Sequence, residues 1–313
     1  MMPRSRRVRI GAGTMLAGLL VMSGILRCAA EEVRREHLGL DLLANLEVPK
    51  GGKLEGAAVV VIVHGTLAHH GMEIVTALQK NLRERGAASL ALTLSLGRDA
   101  RRGMFDCAGE HEHRMTDAAE EIAAWVDWLK QRQVARIALL GHSRGAQQVA
   151  HYTVGDPDML VDRLLLIAPL TDTSFEAAER YKAGYGADLA PLLARARQLA
   201  EAGDEDSLMD LPGFLHCRNA RATAATVLDY YDPEGAHHVF ALLRRIARPV
   251  LVVAGGDDRV SPAVASRLKA ADLGSHVVVR TIEGADHFFQ DLFADDLADH
   301  VKSFLDGNPA SAR

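Results

Sequence analysis

In Gly141-His142-Ser143-Arg144-Gly145 a hydroxyl stands between two glycines, each two positions away. The apolar run 135–140 before it reads as a strand, and a helical stretch follows. A serine forced onto such a strand-to-helix turn takes strained dihedrals. The glycines let neighbouring backbone approach without a Cβ clash, and the hydroxyl is presented at the carboxyl end of the strand. The pentapeptide alone is a weak signal in a chain with 27 glycines, where a plain glycine-rich helix start is the competing reading; its place between strand and helix gives it meaning. A serine hydroxyl is a poor nucleophile near neutral pH, so a base must take its proton and a carboxylate must hold that base. His287, in Gly284-Ala285-Asp286-His287-Phe288-Phe289, follows the strand-like run 276–282. Asp258, in Gly255-Gly256-Asp257-Asp258-Arg259-Val260, follows the run 249–254. Both fall at strand carboxyl ends, the edge where a parallel sheet binds ligands. The chain has 14 histidines, so position is what singles out His287.

The elements that must carry these residues alternate. Residues 57–63 form an unbroken apolar run of the kind buried on both faces of a parallel sheet, and it stops at His64-Gly65. A helix over 72–85, a strand over 89–96, a helix over 116–131 and strands over 135–140 and 163–168 follow. Two short strands are expected within 38–48. The rhythm breaks over 171–248, which shows several helical stretches and no comparable strand, and resumes with a strand at 249–254, a helix at 262–271, a strand at 276–282 and a helix at 290–305. The expected fold is α/β, a mostly parallel central sheet with helices on both faces. Its core spans 31–170 and 249–313, and 171–248 is a helical cap inserted before the acid-bearing strand.

At 48% hydrophobic and 25% charged residues, the 313-residue chain is neither disordered nor fibrous in composition. It has no long basic tract, so nucleic acid is not an expected partner. Arg4, Arg6, Arg7 and Arg9 precede the uncharged run 10–26, and Cys28-Ala29-Ala30 then supplies the small residues of a signal-peptidase site. This pattern predicts a cleaved export signal over 1–30, a periplasmic or secreted location, and membrane contact only in transit. An uncleaved anchor and a buried helix are the alternatives, but four glycines in 17 residues make the run short and mildly apolar for a span. Ser5-Arg6-Arg7 is a weak twin-arginine signal, and Arg27 before Cys28 counts against a lipoprotein. Cleavage removes five arginines, leaving 31 Lys+Arg against 41 Asp+Glu, so the formal charge moves from −5 to −10.

The order Ser143, Asp258, His287, the His64-Gly65 step after the third strand and the cap before the acid-bearing strand resemble the α/β-hydrolase superfamily across nearly the whole mature chain. In that family the acid commonly falls three residues after a glycine, which points to Asp258 relative to Gly255 and leaves Asp257 as the alternative. The resemblance implies an oxyanion hole from the backbone N–H of Arg144 and one from the loop after His64-Gly65, at Thr66 or, failing that, Leu67. It further implies a small-molecule acyl substrate and an acyl-enzyme, with no cofactor. Acyl transfer, thioester or amide cleavage, cofactor-free haloperoxidase chemistry and a non-catalytic binding role remain alternatives on the same fold. Ser95-Leu96-Gly97, Asp106-Cys107 and His111-Glu112-His113-Arg114 are in addition similar to a group of predicted exported bacterial hydrolases of unsettled substrate.

With Cys28 removed, Cys107 and Cys217 are an even pair in an oxidising compartment. One lies in the mouth loop and the other in the cap, which makes them a disulfide candidate. His111 and His113 flank Glu112, and His69-His70 and His237-His238 add further histidines. No metalloprotease motif accompanies them, so no metal is expected. His111, His113 and Arg114 are instead read as structural or substrate-lining residues. Tyr230, Tyr231 and Phe214 are acyl-pocket candidates against a core-packing alternative, while Trp125 and Trp128 are read as packing.

Overall fold

A computed structural model describes residues 30–155, 157–231 and 234–307. The export signal expected over 1–30 lies outside them apart from Ala30. The sheet strands are β1 (Glu31–His37), β2 (Leu40–Glu47), β3 (Ala58–Val63), β4 (Ala88–Thr93), β5 (Arg136–His142) and β6 (Val161–Ile167). A cap hairpin of β7 (Leu208–Phe214) and β8 (Cys217–Thr223) precedes the last sheet strands, β9 (Val250–Gly255) and β10 (Val277–Ile282). The eight-stranded sheet runs β1-β2-β4-β3-β5-β6-β9-β10. Pairing is parallel from β4 onwards, and β1 and β2 form an antiparallel edge. This is the α/β architecture expected, with helices on both faces.

Alternation along the strands divides the core. Val59, Val61 and Val63 of β3 face a cluster that includes Ile122, Trp125 and Leu129 of helix α2 (Ala118–Lys130). Val60 and Ile62 face the other cluster, formed by Ile74, Leu78 and Leu82 of α1 (Glu73–Glu84) and Val301 and Phe304 of the C-terminal helix (Leu292–Leu305). Both faces are therefore dry, which is why β3 is apolar throughout rather than alternating. Trp125 and Trp128 lie in the first cluster as packing residues. Strand β5 passes through Ser143 into α3 (Arg144–Gly155).

The opening strand pair starts earlier than expected. β1 is Glu-Glu-Val-Arg-Arg-Glu-His on an exposed edge, with no apolar period to read; Leu38 (φ 50°) and Gly39 (φ 81°) make the turn into β2.

The segment 171–248 is not wholly helical. It contains α4 (Ser174–Tyr185), α5 (Leu189–Glu201), the β7–β8 hairpin, α6 (Ala224–Tyr231) and α7 (Val239–Leu243). The hairpin hides well in the sequence. Its buried β8 positions include the alanines 220 and 222, and β7 carries Pro212 on its outward face. Its two-residue turn starts at Leu215 (φ 55°), where glycine or asparagine would have signalled it. Helix α6 consequently begins at Ala224, two residues later than the periodicity suggests.

The mouth loop between β4 and α2 is fastened to this hairpin. Cys107 and Cys217 are disulfide-bonded, with Cα atoms 5.3 Å apart. The His111 amide donates to Arg221 O (2.8 Å) and the Thr223 amide to His111 O (3.0 Å), so the loop continues the cap sheet for one residue. In the chain-entropy picture, a link across 110 residues stabilises the fold by roughly 4–5 kcal/mol, less any native strain. Denatured, unreduced protein should show no reactive thiol from this pair on thiol titration. The Cys107→Ser/Cys217→Ser double variant should lose on the order of 5–15 °C in Tm.

Candidate active site

Close backbone approach builds the turn that carries Ser143. A Cβ on Gly141 would stand 2.2 Å from Gly145 O, and one on Gly145 would stand 2.4 Å from Val63 O. Neither position accepts a side chain, so both glycines of the pentapeptide are required sterically. Ser143 is held at φ 55°, with its amide donating to Ile167 O at 2.8 Å. This strained conformation lifts its Oγ off the end of β5.

The three residues expected to act together do meet. Asp258 Oδ2 accepts from His287 Nδ1 at 2.8 Å, which fixes the tautomer, and the Ser143 hydroxyl donates to His287 Nε2 at 2.9 Å. All three side chains are buried. The other Asp258 oxygen accepts the amides of Val260 and Ser261, each at 2.8 Å. Burial alone would raise the Asp258 pKa, but the hydrogen bond from His287 and the two amides outweigh it and hold the carboxyl below its ordinary value. Asp257, the alternative acid, is exposed, and among the described residues only its amide is bonded, to Ala285 O. Geometry therefore separates the two adjacent aspartates.

The loop after β3 lies against Ser143: a Cβ on Gly65 would be 3.3 Å from Ser143 Cβ. Thr66 and Arg144 border the same cavity as Ser143, and Arg144 Nε donates to Thr66 Oγ1 at 3.2 Å. The cavity has a volume of about 610 Å³ and opens between the sheet edge and the cap. Tyr230 and Tyr231 line it, together with Met104, Met115, Tyr181 and Phe288, which the sequence did not single out.

His111, His113 and Phe214 do not line the cavity, contrary to the substrate-lining expectation. They are buried behind Tyr230. His113 Nδ1 is 2.9 Å from the Tyr230 hydroxyl, His111 Nδ1 is 3.2 Å from His113 Nε2, and both rings pack on Phe105. Burial pulls the pKa of His111 down to about 4 and that of His113 to about 3. Among the described residues no cluster of three or more His, Cys, Asp or Glu side chains is placed to hold a metal ion.

Four supporting groups were not foreseen in this role. His142 donates from Nε2 to His287 O (2.9 Å), its pKa lowered to about 4 by burial and by neighbouring His287. Below the site, His64 Nε2 accepts the Leu94 amide (3.1 Å) and its Nδ1 donates to Gly65 O (2.8 Å). Buried Arg101 donates to Leu94 O, Gly103 O and Ala68 O, each at 2.7 Å, so one guanidinium ties the loop after β3 to the loop after β4. Burial lowers its pKa to about 10. Buried Glu121 of α2 accepts the Ser95 amide (2.8 Å) and hydroxyl (2.6 Å). His64 and His142 adjoin apolar strand ends in the sequence, whereas Arg101 in a loop and Glu121 within a helix carry no such signal.

Residues 60–300 match the alpha/beta hydrolase family. The chain belongs to that family. A search of curated proteins by sequence finds no match. Among solved alpha/beta structures, Est1E from Butyrivibrio proteoclasticus superposes with a TM-score of 0.63 at 20% identity, covering 90% of this chain and 99% of its own. The esterase domain of a Rhodothermus marinus protein gives 0.56 at 17% identity, covering 88% and 97%. An alpha-beta serine hydrolase homologue from Coxiella burnetii gives 0.52 at 19% identity, covering 88% and 97%. At these identities the likeness establishes the alpha/beta hydrolase fold alone.

Burial raises the Glu121 pKa from its ordinary 4.5 to about 7, against the hydrogen bonds from Ser95. The folded state thus holds a proton that the unfolded chain releases. The stability this contributes is full below about pH 4.5 and is lost as pH rises through about 7, a loss on the order of 3 kcal/mol. Glu121→Gln should flatten this component: urea midpoints at pH 5 and pH 8 should differ less in the variant than in the wild type.

Proposed function

We propose that the chain is an exported serine hydrolase that cleaves a carboxylic ester or related acyl bond through an acyl-enzyme. The hydrogen-bonded line from Asp258 through His287 to Ser143, on the floor of a largely apolar cavity, carries this reading. As Ser143 Oγ attacks the acyl carbon, His287 Nε2 takes the hydroxyl proton and Asp258 stabilises the resulting imidazolium. The backbone N–H groups of Arg144 and Thr66 receive the developing oxyanion. His287 then returns the proton to the leaving oxygen. Water, activated by the same imidazole, releases the acid and regenerates the serine. His142, donating to the His287 carbonyl, holds the loop that presents the base.

Two structural neighbours favour an ester among acyl bonds: one is named an esterase domain, and Est1E has been solved with ferulic acid, a carboxylic acid, bound. Export is supported by the arginines and apolar run before Ala30 and by the Cys107–Cys217 bridge, a bond that persists in oxidising compartments. The mature protein recovered from periplasm or medium should begin at Glu31 on N-terminal sequencing; an intact Met1 on the exported form would refute cleavage.

Ser143→Ala should abolish labelling by a fluorophosphonate and reduce turnover of short aryl esters by at least about 10³-fold. Asp258→Asn should cost up to about 10⁴-fold in kcat with the fold retained, and Asp257→Asn should leave kcat within about twofold. Unimpaired turnover by the serine variant would sink the assignment.

A further inference from the structure

Arg144 follows the nucleophile, and its side chain borders the cavity that holds Ser143 and His287. Its Nε donates to Thr66 Oγ1 at 3.2 Å, and its Cζ stands 5.3 Å from the Tyr230 ring centroid. Among the described residues it forms no ion pair. The cavity carboxylates nearest in kind are already engaged. Asp172 takes Arg180 Nη2 at 2.7 Å, and Asp229 accepts the Thr116 hydroxyl at 2.9 Å together with the amides of Met115 and Thr116. Arg218, a second cavity cation without an ion pair among the described residues, reaches over the Tyr185 ring from the cap side.

A guanidinium carries five N–H donors in a planar fork, and one of them is spent here on a neutral hydroxyl. Holding it half-buried with no ion-pair partner among the described residues, and only the more distant charges of Asp172 and Asp229, costs desolvation free energy, which a ligand anion would offset. Among the described residues Arg144 bonds no backbone carbonyl, whereas three such carbonyls make Arg101 a structural residue. Arginine in this setting is suited to a planar two-oxygen anion.

We propose that Arg144 is a specificity-determining residue whose guanidinium receives a carboxylate of the substrate, so that the enzyme acts on anionic esters. The carboxylate sits either at the far end of the acyl chain, as in the half-ester of a dicarboxylic acid, or on the alcohol released. Met104, Met115 and Phe288 offer apolar surface to the chain between the two ends. This inference rests on the serine-hydrolase reading above and narrows its substrate class.

The test compares matched esters that differ by one carboxylate. The acyl-side pair is para-nitrophenyl hydrogen adipate and para-nitrophenyl hexanoate; the alcohol-side pair is 4-acetoxybenzoate and phenyl acetate. The measured quantity is the anionic-to-neutral ratio of kcat/KM within each protein, because a general loss of activity divides out. Arg144→Gln should lower that ratio in one pair by about ten- to a hundredfold, mainly through KM, and Arg144→Lys should retain part of it. The pair that responds identifies the side that bears the charge. A ratio within about twofold of wild type in both pairs would overturn the proposal and leave the guanidinium as a prop for Thr66 and Tyr230. Turnover of the neutral esters without phosphonate sensitivity would instead count against the serine mechanism. No turnover of any of the four esters by wild type would overturn both.

Discussion

The site depends on how closely the end of β3 and the turn after β5 converge at one point. The turn after β5 presses its Gly145 against the carbonyls of Val63 and His64, and Gly141 packs on Gly145 in turn. Contacts this short leave the intervening serine one conformation, at positive φ, and the strain is tolerated because the parallel strands on either side over-determine it. The same convergence brings Gly65 against Ser143, which puts the loop of expected oxyanion donors beside the nucleophile without any residue reaching across open space. The placement of Ser143 comes from sheet geometry, and the bonded side chains of His287 and Asp258 add to it.

Much of this was legible because both-face burial writes itself plainly. Strands such as β3 and β9 are continuous apolar runs, and the chemistry-bearing residues follow their carboxyl ends directly. What escaped has physical causes. β1 is an edge strand of charged residues, paired through its backbone, so hydrophobic periodicity says nothing about it. The cap hairpin buries alanines where a reader looks for valine or isoleucine, and its turn lacks a glycine. Choosing Asp258 over Asp257 needed the family pattern, because neighbours in sequence differ only once the loop decides which carboxylate meets the amides of Val260 and Ser261.

Histidine shows the limit most clearly. His64, His111, His113, His142 and His287 are all buried, and residue type cannot rank them. Their partners do. His64 bonds two backbone groups, His142 meets a carbonyl, and His111 and His113 meet each other and a tyrosine hydroxyl; burial pushes all four towards the neutral form. Of the five, His287 alone is paired with a carboxylate, and so it alone has a fixed counter-charge for the proton it would take from serine.

The misplaced expectation for His111 and His113 also explains how the cap reaches the chemistry. These rings lie behind the cavity wall, where His113 engages the Tyr230 hydroxyl and His111 packs on Phe214. The Cys107–Cys217 bridge and the paired backbone of His111 hold the mouth loop against β8, so the histidine pair is anchored from both sides. Tyr230 is thereby fixed with its ring towards Arg144. A covalent tie between the mouth loop and the cap thus sets, through two neutral imidazoles and one phenol, where Arg144 beside Ser143 can point. Substrate choice and cap attachment are then parts of one packed unit, and a loosened cap would be felt in the position of that guanidinium as well as in the stability of the fold.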